Sequence, residues 1–303
     1  MRDVIVVMSA YNGELFLEEQ IKSILAQKNV SIKLVIRDDG SSDRTNDIIS
    51  SINDSRIEYL KGSNVGCSRS FFELLKYVQS NYHGDSYVAF SDQDDYWLPD
   101  KLESACKMLD KLPDNSPNLY ISNLFIVNGD LKKPNYLYED DISLDKGHAL
   151  VENHATGCTM VFNKNVISMI LQSNTDRYRI HDIPIFRMCL FLGNVVYDAN
   201  PHIYYRQHSN NVIGANYYTK QRFISKVKSF KNFLHQHIKE NDAVVFLDEF
   251  NSYLSYNDKE LIKVVAFYRS NLKYRLALLS GRFKMRRRED NFWFKIRVLL
   301  GCI

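Results

Sequence analysis

The sequence has no long apolar run, no paired-cysteine spacing, no internal repeat and no low-complexity stretch. Each absence removes a class of protein. A helix that crosses a bilayer needs about 18–20 consecutive apolar residues, and no segment reaches that length. The first strand-like run, Val4 to Met8, is too short for a signal-peptide core, and polar Ser9 to Glu14 follow it directly. The expected location is therefore cytoplasmic. Cysteines stand at 67, 106, 158, 189 and 302. Their number is odd and no pair has CxxC spacing, so neither a disulfide framework nor a zinc site is expected.

What is present is the composition of a chain that can bury a core. Of 303 residues, 45% are hydrophobic and 25% charged, which excludes global disorder and allows one large domain with an appendage or two modest domains. The net charge of +3 is unevenly spread: residues 1–216 carry roughly −7 and residues 217–303 roughly +10. That asymmetry suits an acidic, metal-using part followed by a basic part facing something anionic, such as a membrane surface or a nucleic acid.

Strand and helix signals alternate through the first half. Val4–Met8 is apolar and β-branched, and Glu14–Gln27 carries Leu17, Ile21, Ile24 and Leu25 at helical spacing. Leu34–Arg37 is a second strand ending in Asp38-Asp39-Gly40, and Asp43 stands where an N-cap would open the next helix. Arg56–Leu60 is a third strand, Phe71, Leu74, Leu75 and Val78 mark a third helix, and Tyr87–Phe90 is a fourth strand that stops at Ser91-Asp92. This alternation predicts an α/β fold, Rossmann-like, with a mostly parallel central sheet flanked by helices. Ligands of such sheets bind beyond the carboxyl ends of the strands. Those ends here are Ser9 to Asn12, Asp38 to Ser41 and Asp92 to Asp95, all polar and two rich in carboxylates. Beyond residue 217 the pattern turns helical, with Phe223, Val227, Phe230, Leu234 and Ile238 at three and four and Lys226, Lys228 and Lys231 between them.

Four clusters can carry chemistry. Asp92-Gln93-Asp94-Asp95 offers carboxylates at i and i+2 just after a buried strand, a donor set that suits Mg2+ or Mn2+; a solvated acidic turn is the plain alternative. Asp38 to Asp43 offers Asp39 as an acceptor for a nucleobase imide N–H, while Gly40 and Asp43 read as turn and helix cap. His181-Asp182 precedes a helical run with Pro184 in its first turn, so Asp182 reads either as a cap or as a base for an acceptor hydroxyl. In Tyr205-Arg206-Gln207-His208, Arg206 can pair with a diphosphate and His208 can ligate a metal.

In order, Ser9-Ala-Tyr-Asn-Gly13, Arg37-Asp-Asp-Gly-Ser-Ser-Asp43, Asn64-Val-Gly66, Ser91-Asp-Gln-Asp-Asp-Tyr-Trp97, Thr156-Gly-Cys-Thr-Met160, His181-Asp182 and Tyr205-Arg-Gln-His-Ser-Asn-Asn211 resemble the family-2 glycosyltransferases of GT-A fold. The resemblance spans about residues 3–215. The forms around Asp92, Cys158 and Arg206 look like the bacterial rhamnosyltransferase branch of cell-surface polysaccharide synthesis, which uses dTDP-L-rhamnose. Carried over, it implies nucleotide contacts from Ser9, Tyr11, Asp39, Asn64 and Asp92, and Mn2+ or Mg2+ on Asp94 and His208. Arg206 and His181 would stand at the diphosphate or acceptor, and Asp182 would be the base. Many relatives have Glu-Asp where this chain has His181-Asp182, so the role of His181 is open. The implied reaction is a single inverting, metal-dependent displacement onto a saccharide acceptor, expected to be lipid-linked.

Other classes fit less well. A sugar nucleotidyltransferase would carry a Gly-rich, Arg-containing phosphate loop where this chain has Tyr11-Asn12-Gly13-Glu14. A nucleic-acid partner is not expected, because clustered carboxylates repel a phosphate backbone. A UDP-hexose or UDP-N-acetylhexosamine donor and an inactive binding protein are the remaining alternatives. The expected domains are a catalytic one over 1–216 and a basic amphipathic helical extension over 217–303. In the latter, Arg282, Lys284, Arg286, Arg287 and Arg288 precede Phe292, Trp293, Phe294, Ile296, Val298, Leu299 and Leu300. That order predicts peripheral attachment to the anionic inner face of the membrane; packing in a homodimer is the alternative.

Overall fold

The computed structural model describes residues 1–132, 134–207 and 237–303. They form two compact units, Met1–Asp141 with Ala155–Gln207, and Ile142–His154 with 237–303.

The first unit is built on a mixed, mostly parallel sheet in the order β3-β2-β1-β4-β8-β6-β9-β5, with β7 on β6. The strands are β1 (Arg2–Ala10), β2 (Val30–Asp38), β3 (Ile57–Lys61), β4 (Tyr87–Ser91), β5 (Tyr96–Trp97), β6 (Asn118–Val127), β7 (Asn135–Tyr136), β8 (Val161–Phe162) and β9 (Asn194–Arg206). Strands β3, β2, β1 and β4 run parallel, as do β6 and β9, while β8 joins the two blocks antiparallel. The helices are α1 (Leu17–Leu25), α2 (Thr45–Ser51), α3 (Cys67–Asn81), α4 (Lys101–Leu109), α6 (Lys164–Ile170) and α7 (Asp182–Leu192), with α5 (Lys146–Val151) in the second unit.

The order of the first four strands positions the site. The chain starts mid-sheet at β1, steps outward through β2 and β3, then returns to β1's other flank as β4. The crevice between β1 and β4 is thus a topological switch point, where open α/β sheets bind ligands. Register aligns the strand ends: Ala10 faces Asp38 and Met8 faces Ser91. Val4 to Met8 and Val88 to Phe90 are buried on both faces, which is why they read as unbroken apolar runs. Helix α3 turns Phe71, Phe72, Leu74, Leu75 and Val78 inward.

Some expected boundaries move. The first helix begins at Leu17 and not at Glu14, because Gly13 O accepts from both Phe16 N and Leu17 N in a turn ahead of it. Helix α2 begins at Thr45 with Arg44 at its N-cap; Asp43 binds Thr45 N at 3.0 Å and Thr45 Oγ1 at 2.6 Å from one residue further back. Asp182 is the first residue of α7, with His181 at the N-cap position.

The second unit is helical: α5 is joined by α8 (Ile238–Phe250), α9 (Tyr256–Ala266), α10 (Leu272–Leu278) and α11 (Arg288–Leu300). Its core holds Phe246, Phe250, Ile262, Val265, Tyr268, Phe283 and Val298, and Lys146 pairs with Asp258 at 2.8 Å. Of the helical stripe expected after 217, Phe223, Val227, Phe230 and Leu234 lie outside the described residues, as do Lys226, Lys228 and Lys231. Among the described residues no helix is long and apolar enough to cross a membrane.

Candidate active site

Three loops meet at the ends of β1, β2 and β4. The β1 loop is tied to the β2 loop by main-chain donors: Asn12 N to Ser41 Oγ (3.0 Å), Gly13 N to Thr45 Oγ1 (2.8 Å) and Glu14 N to Asp43 Oδ2 (3.1 Å). Asn12 Oδ1 accepts from Ser42 N at 2.9 Å in return. The β1 loop is tied to the β4 loop by Gln93, whose Oε1 accepts from Tyr11 N and whose Nε2 donates to Tyr11 O.

Asp39 is buried at 2% exposure. Its carboxylate accepts from Val65 N and Gly66 N, each at 2.9 Å, and from the Arg37 guanidinium. Arg37 is held by Ser70 Oγ at 3.0 Å, which also accepts from Ser9 Oγ at 2.6 Å. A carboxylate can accept about four donors, so Asp39 keeps capacity for one more. Exposed Asn64 lies in the turn that Asp39 anchors, and Gly40, at φ +81°, backs onto it: a Cβ there would stand 2.9 Å from Asn64 N. Ser9, Asp39 and Asn64 are thus joined in one wall, with Tyr11 exposed at its rim.

The acidic turn is held from beneath by α1. Gln20 Nε2 donates to Ser91 Oγ (2.9 Å), Trp97 N to Ser23 Oγ (3.1 Å) and Leu102 N to Gln27 Oε1 (3.0 Å). Asp92 is pushed up to about 7 by burial, then by the charges of Asp94 and Asp182. Asp95, fully buried, is raised well above the carboxylate range by burial and by Asp92 and Asp94. Ligand atoms of Asp92, Asp95 and Cys158 lie within 4.8 Å of one another, the one such group of three or more among the described residues. Asp92 and Asp95 supply hard oxygen donors that suit a divalent cation, Cys158 is a thiol that burial and these charges hold protonated, and Asp94, expected as a metal ligand, is not in this group. Lys101 is fully buried behind them, its Nζ 3.6 Å from the Trp97 ring centroid and, among the described residues, without a hydrogen-bond partner; burial lowers it to about 7.

The turn Gly157–Thr159 brings Cys158 to the aspartates and Gly157 against the start of α7, where a Cβ would stand 2.9 Å from His181 Nε2. His181 is buried, stacked on Phe71 (4.1 Å between centroids) and edge-on to Phe90 (4.9 Å). Burial drops its pKa to about 3, so the imidazole is neutral. Asp182 follows, 8% exposed.

Convergence of these carboxylates is registered at one atom. Cys67 opens α3 at the exposed rim of the site; its thiol is pushed upward by desolvation among the surrounding loops and by the negative charges of Asp92, Asp182, Asp39 and Asp94. Aspartates from three separate stretches of sequence thus act on the one thiol. Arg206 stands differently. It is 2% exposed, its Nε donates to Asp94 O at 2.9 Å, and its other guanidinium nitrogens bind Gly129 O and the Glu19 carboxylate. Its guanidinium carbon lies 4.4 Å from the Phe16 centroid. It holds the acidic turn from behind. His208, expected at the metal, lies outside the described residues. Gln93, Cys67, Cys158 and Arg37 were given no role from sequence: Gln93 meets Tyr11 across 82 positions and Arg37 meets Ser70 across 33.

The family described as Glycosyl transferase family 2 matches residues 5–171. The chain belongs to that family. A family-2 glycosyltransferase similar to it is the dTDP-rhamnosyl transferase RfbG of Shigella flexneri, 34% identical over 229 residues, covering 71% of this chain and 76% of that protein. The UDP-Glc:alpha-D-GlcNAc-diphosphoundecaprenol beta-1,3-glucosyltransferase WfgD of Escherichia coli is 30% identical over 171 residues, 54% of this chain and 62% of that one. Among solved structures, that of S. aureus TarS 1–349 in complex with UDP-GlcNAc superposes with a TM-score of 0.59 at 16% identity, covering 99% of this chain and 80% of that one. The glycosyltransferase fold is thus GT-A, with C-terminal helices, and the protein is a glycosyltransferase enzyme.

Proposed function

We propose that this glycosyltransferase transfers L-rhamnose from dTDP-L-rhamnose, with inversion, to a lipid-linked saccharide in cell-surface polysaccharide synthesis. The observation that carries the chemistry is the meeting of the β1, β2 and β4 loops at the switch point of the sheet, with Asp39 in one and Asp92 and Asp95 in another. The donor rests on the 34% identity to the Shigella rhamnosyl transferase. A UDP-glucose donor is the second reading, favoured by the 30% identity to the E. coli glucosyltransferase.

In this reading Ser9, Tyr11, Asp39 and Asn64 hold the nucleoside, with the last acceptor site of Asp39 open to the base N–H. Asp92 reaches the ribose or the metal shell. Mn2+ or Mg2+ on Asp94, with His208 from outside the described residues, would supply positive charge against the diphosphate. Asp182 takes the proton of the acceptor hydroxyl while the hydroxyl oxygen bonds to the anomeric carbon from the face opposite the diphosphate. The carbon–oxygen bond to the diphosphate breaks and its electron pair leaves with it, so a β-linked donor gives an α-L-rhamnoside. Arg206 and His181, assigned to diphosphate or acceptor, act here through what they hold, the Asp94 main chain and the start of α7. The catalytic domain is assigned to 1–216 and the extension to 217–303.

The same reading seats the protein peripherally on the cytoplasmic face of the membrane. Phe292, Leu299 and Leu300 of α11 are 56–61% exposed, beside Arg287, Arg288 and Lys295. Aromatic and apolar groups flanked by cations suit an anionic interface; a homodimer is the other use of that face.

A donor screen tests the proposal. Purified full-length protein with Mn2+ should turn over dTDP-L-rhamnose faster than UDP-glucose, UDP-galactose or UDP-N-acetylglucosamine. EDTA, or Asp94→Asn, should abolish turnover. Selective use of a UDP-sugar moves the donor to the second reading, and full activity in EDTA with no bound metal removes the metal from the mechanism.

A further inference from the structure

The register of β6 against β9 breaks in two adjacent places, on either side of Asn123, and the larger break is the first. Ser122 faces Asp198, but Asn123 faces Pro201, leaving Ala199 and Asn200 without partners on β6. A bulge of this kind bends the strand and re-aims its side chains. Asp198 fixes it, accepting from Asn200 N and Asn200 Nδ2, each at 2.9 Å, and from Tyr120 Oη at 3.1 Å. His202 Nε2 is 3.0 Å from the same carboxylate, and its Nδ1 is 3.2 Å from Asp100.

Beside the bulge lies an open, shallow cavity of about 120 Å³, lined by Tyr136, Tyr138, Tyr197, Asn123 and Ala199, with Glu139, Asp140 and Asp141 at its wall. Asn123 ties that wall to β6: its Nδ2 donates to Tyr138 O at 2.8 Å, and its Oδ1 accepts from Tyr138 N at 3.2 Å and Leu124 N at 2.9 Å. Both sides of the cavity are therefore held by side chains bonded to main chain, a built site and not a gap between loose segments.

The lining selects a ligand class. Three phenol rings and three carboxylates, with no lysine or arginine among the lining residues, repel a phosphate or diphosphate. The three carboxylates do not converge as cation ligands, because the one such group among the described residues is Asp92, Asp95 and Cys158. A pyranose matches both halves. Its C–H face packs on a phenol ring, and its hydroxyls donate to carboxylates and accept from phenols. At about 120 Å³ the cavity is smaller than a pocket that encloses a whole ligand, about 300–1,000 Å³, so it takes one face of a single ring and leaves the other to solvent.

We propose that this cavity is a saccharide subsite that holds a remote ring of the acceptor. The inference rests on the acceptor being a saccharide, as proposed above. Arg206 pairs with Val127 and its main-chain N–H meets Asp95 Oδ1 at 3.4 Å, so the acidic turn sits at that end of β6. Asn123 stands four residues back along the strand, roughly 13 Å at about 3.3 Å per residue. A ring bound there is beyond the one that reacts. It contributes binding energy that orients the acceptor hydroxyl.

The test uses the full-length protein and free saccharides, namely L-rhamnose, N-acetylglucosamine, galactose and disaccharides of these, observed by saturation-transfer NMR. Binding of at least one is expected, retained when dTDP and Mn2+ saturate the nucleotide site. Tyr136→Ala and Asp140→Asn should each weaken it at least tenfold while dTDP affinity and the melting temperature hold. Tyr197→Phe, which keeps the ring, is the second probe should Tyr136→Ala fail to fold, and should weaken binding by a smaller factor. No saccharide binding beside intact dTDP binding overturns the subsite, as does binding that none of the variants changes. Loss of dTDP binding in the wild type would instead remove the proposed donor and leave the subsite to be judged on the saccharide titration alone.

Discussion

The side-chain amide of Gln93 bonds both main-chain groups of Tyr11, accepting from its N–H at 2.8 Å and donating to its carbonyl at 3.0 Å. The residue between the two metal-side aspartates thereby fixes the loop that meets the nucleotide. Gln93→Ala should weaken nucleotide binding about tenfold, the size of two such bonds partly replaced by water, with the fold intact by circular dichroism. Gln93→Glu keeps the acceptor and loses the donor, and should fall between. Titration calorimetry with dTDP and Mn2+ reads both; unchanged affinity in Gln93→Ala would mean the clamp is idle.

Asp182 separates a base from a structural carboxylate by its kinetics. Asp182→Asn should lose transfer by about 10²–10⁴-fold and still bind nucleotide diphosphate. Near-normal turnover would reduce Asp182 to an opening residue of α7.

Asp92 makes stability depend on pH. Its carboxyl stands at about 7 in the folded chain against 3.8 ordinarily. A raised acid favours folding while it is protonated, so that contribution is full below about pH 4 and is lost as pH rises through 7. Asp92→Asn mimics the protonated form permanently. In EDTA the variant should melt on the order of 5 °C above wild type at pH 8, and the gap should shrink steadily below pH 7 and close only near pH 4 or below. A gap that is constant with pH would contradict the raised value. The same variant should lose transfer, which would show that the acidic turn sacrifices stability for function.

The basic helical end is tested on vesicles. Because Phe283 and Val298 belong to the core, the probe is substitution of exposed residues: Arg287→Glu, Arg288→Glu and Phe292→Ser together should release the protein from anionic vesicles and leave transfer to a soluble acceptor. If the full-length chain ignores anionic vesicles at low salt, where attraction is least screened, the exposed face of α11 serves packing with a second copy.

Legibility in the sequence followed how local each cause is. The ends of β1, β2 and β4 were readable because Val-rich runs buried on both faces stop abruptly at polar residues. The roles of α1 were half readable: Leu17, Ile21 and Ile24 announce its buried face, yet Gln20 and Ser23 on that same face, and Gln27 just past its end, look like ordinary polar residues. Their partners, Ser91, Trp97 and Leu102, are more than 70 positions away. Arg206 was read as a ligand-facing cation because a strand end beside polar residues suggests one. Its pairing with Glu19, 187 positions distant, could not be seen without the sheet order. The β6–β9 bulge leaves no trace in apolar alternation, since it is a property of two strands and not of either alone.

The Lys101–Trp97 contact has an optical consequence. The chain holds two tryptophans, Trp97 and Trp293, so Trp293→Phe leaves a single indole beneath the acidic turn. An ammonium group over that ring shifts its emission, and Lys101, poised at about 7, changes charge near neutral pH. Fluorescence of Trp97 therefore reports the charge state of the site from within, and titrating nucleotide or Mn2+ against it would time occupancy of the site without any label.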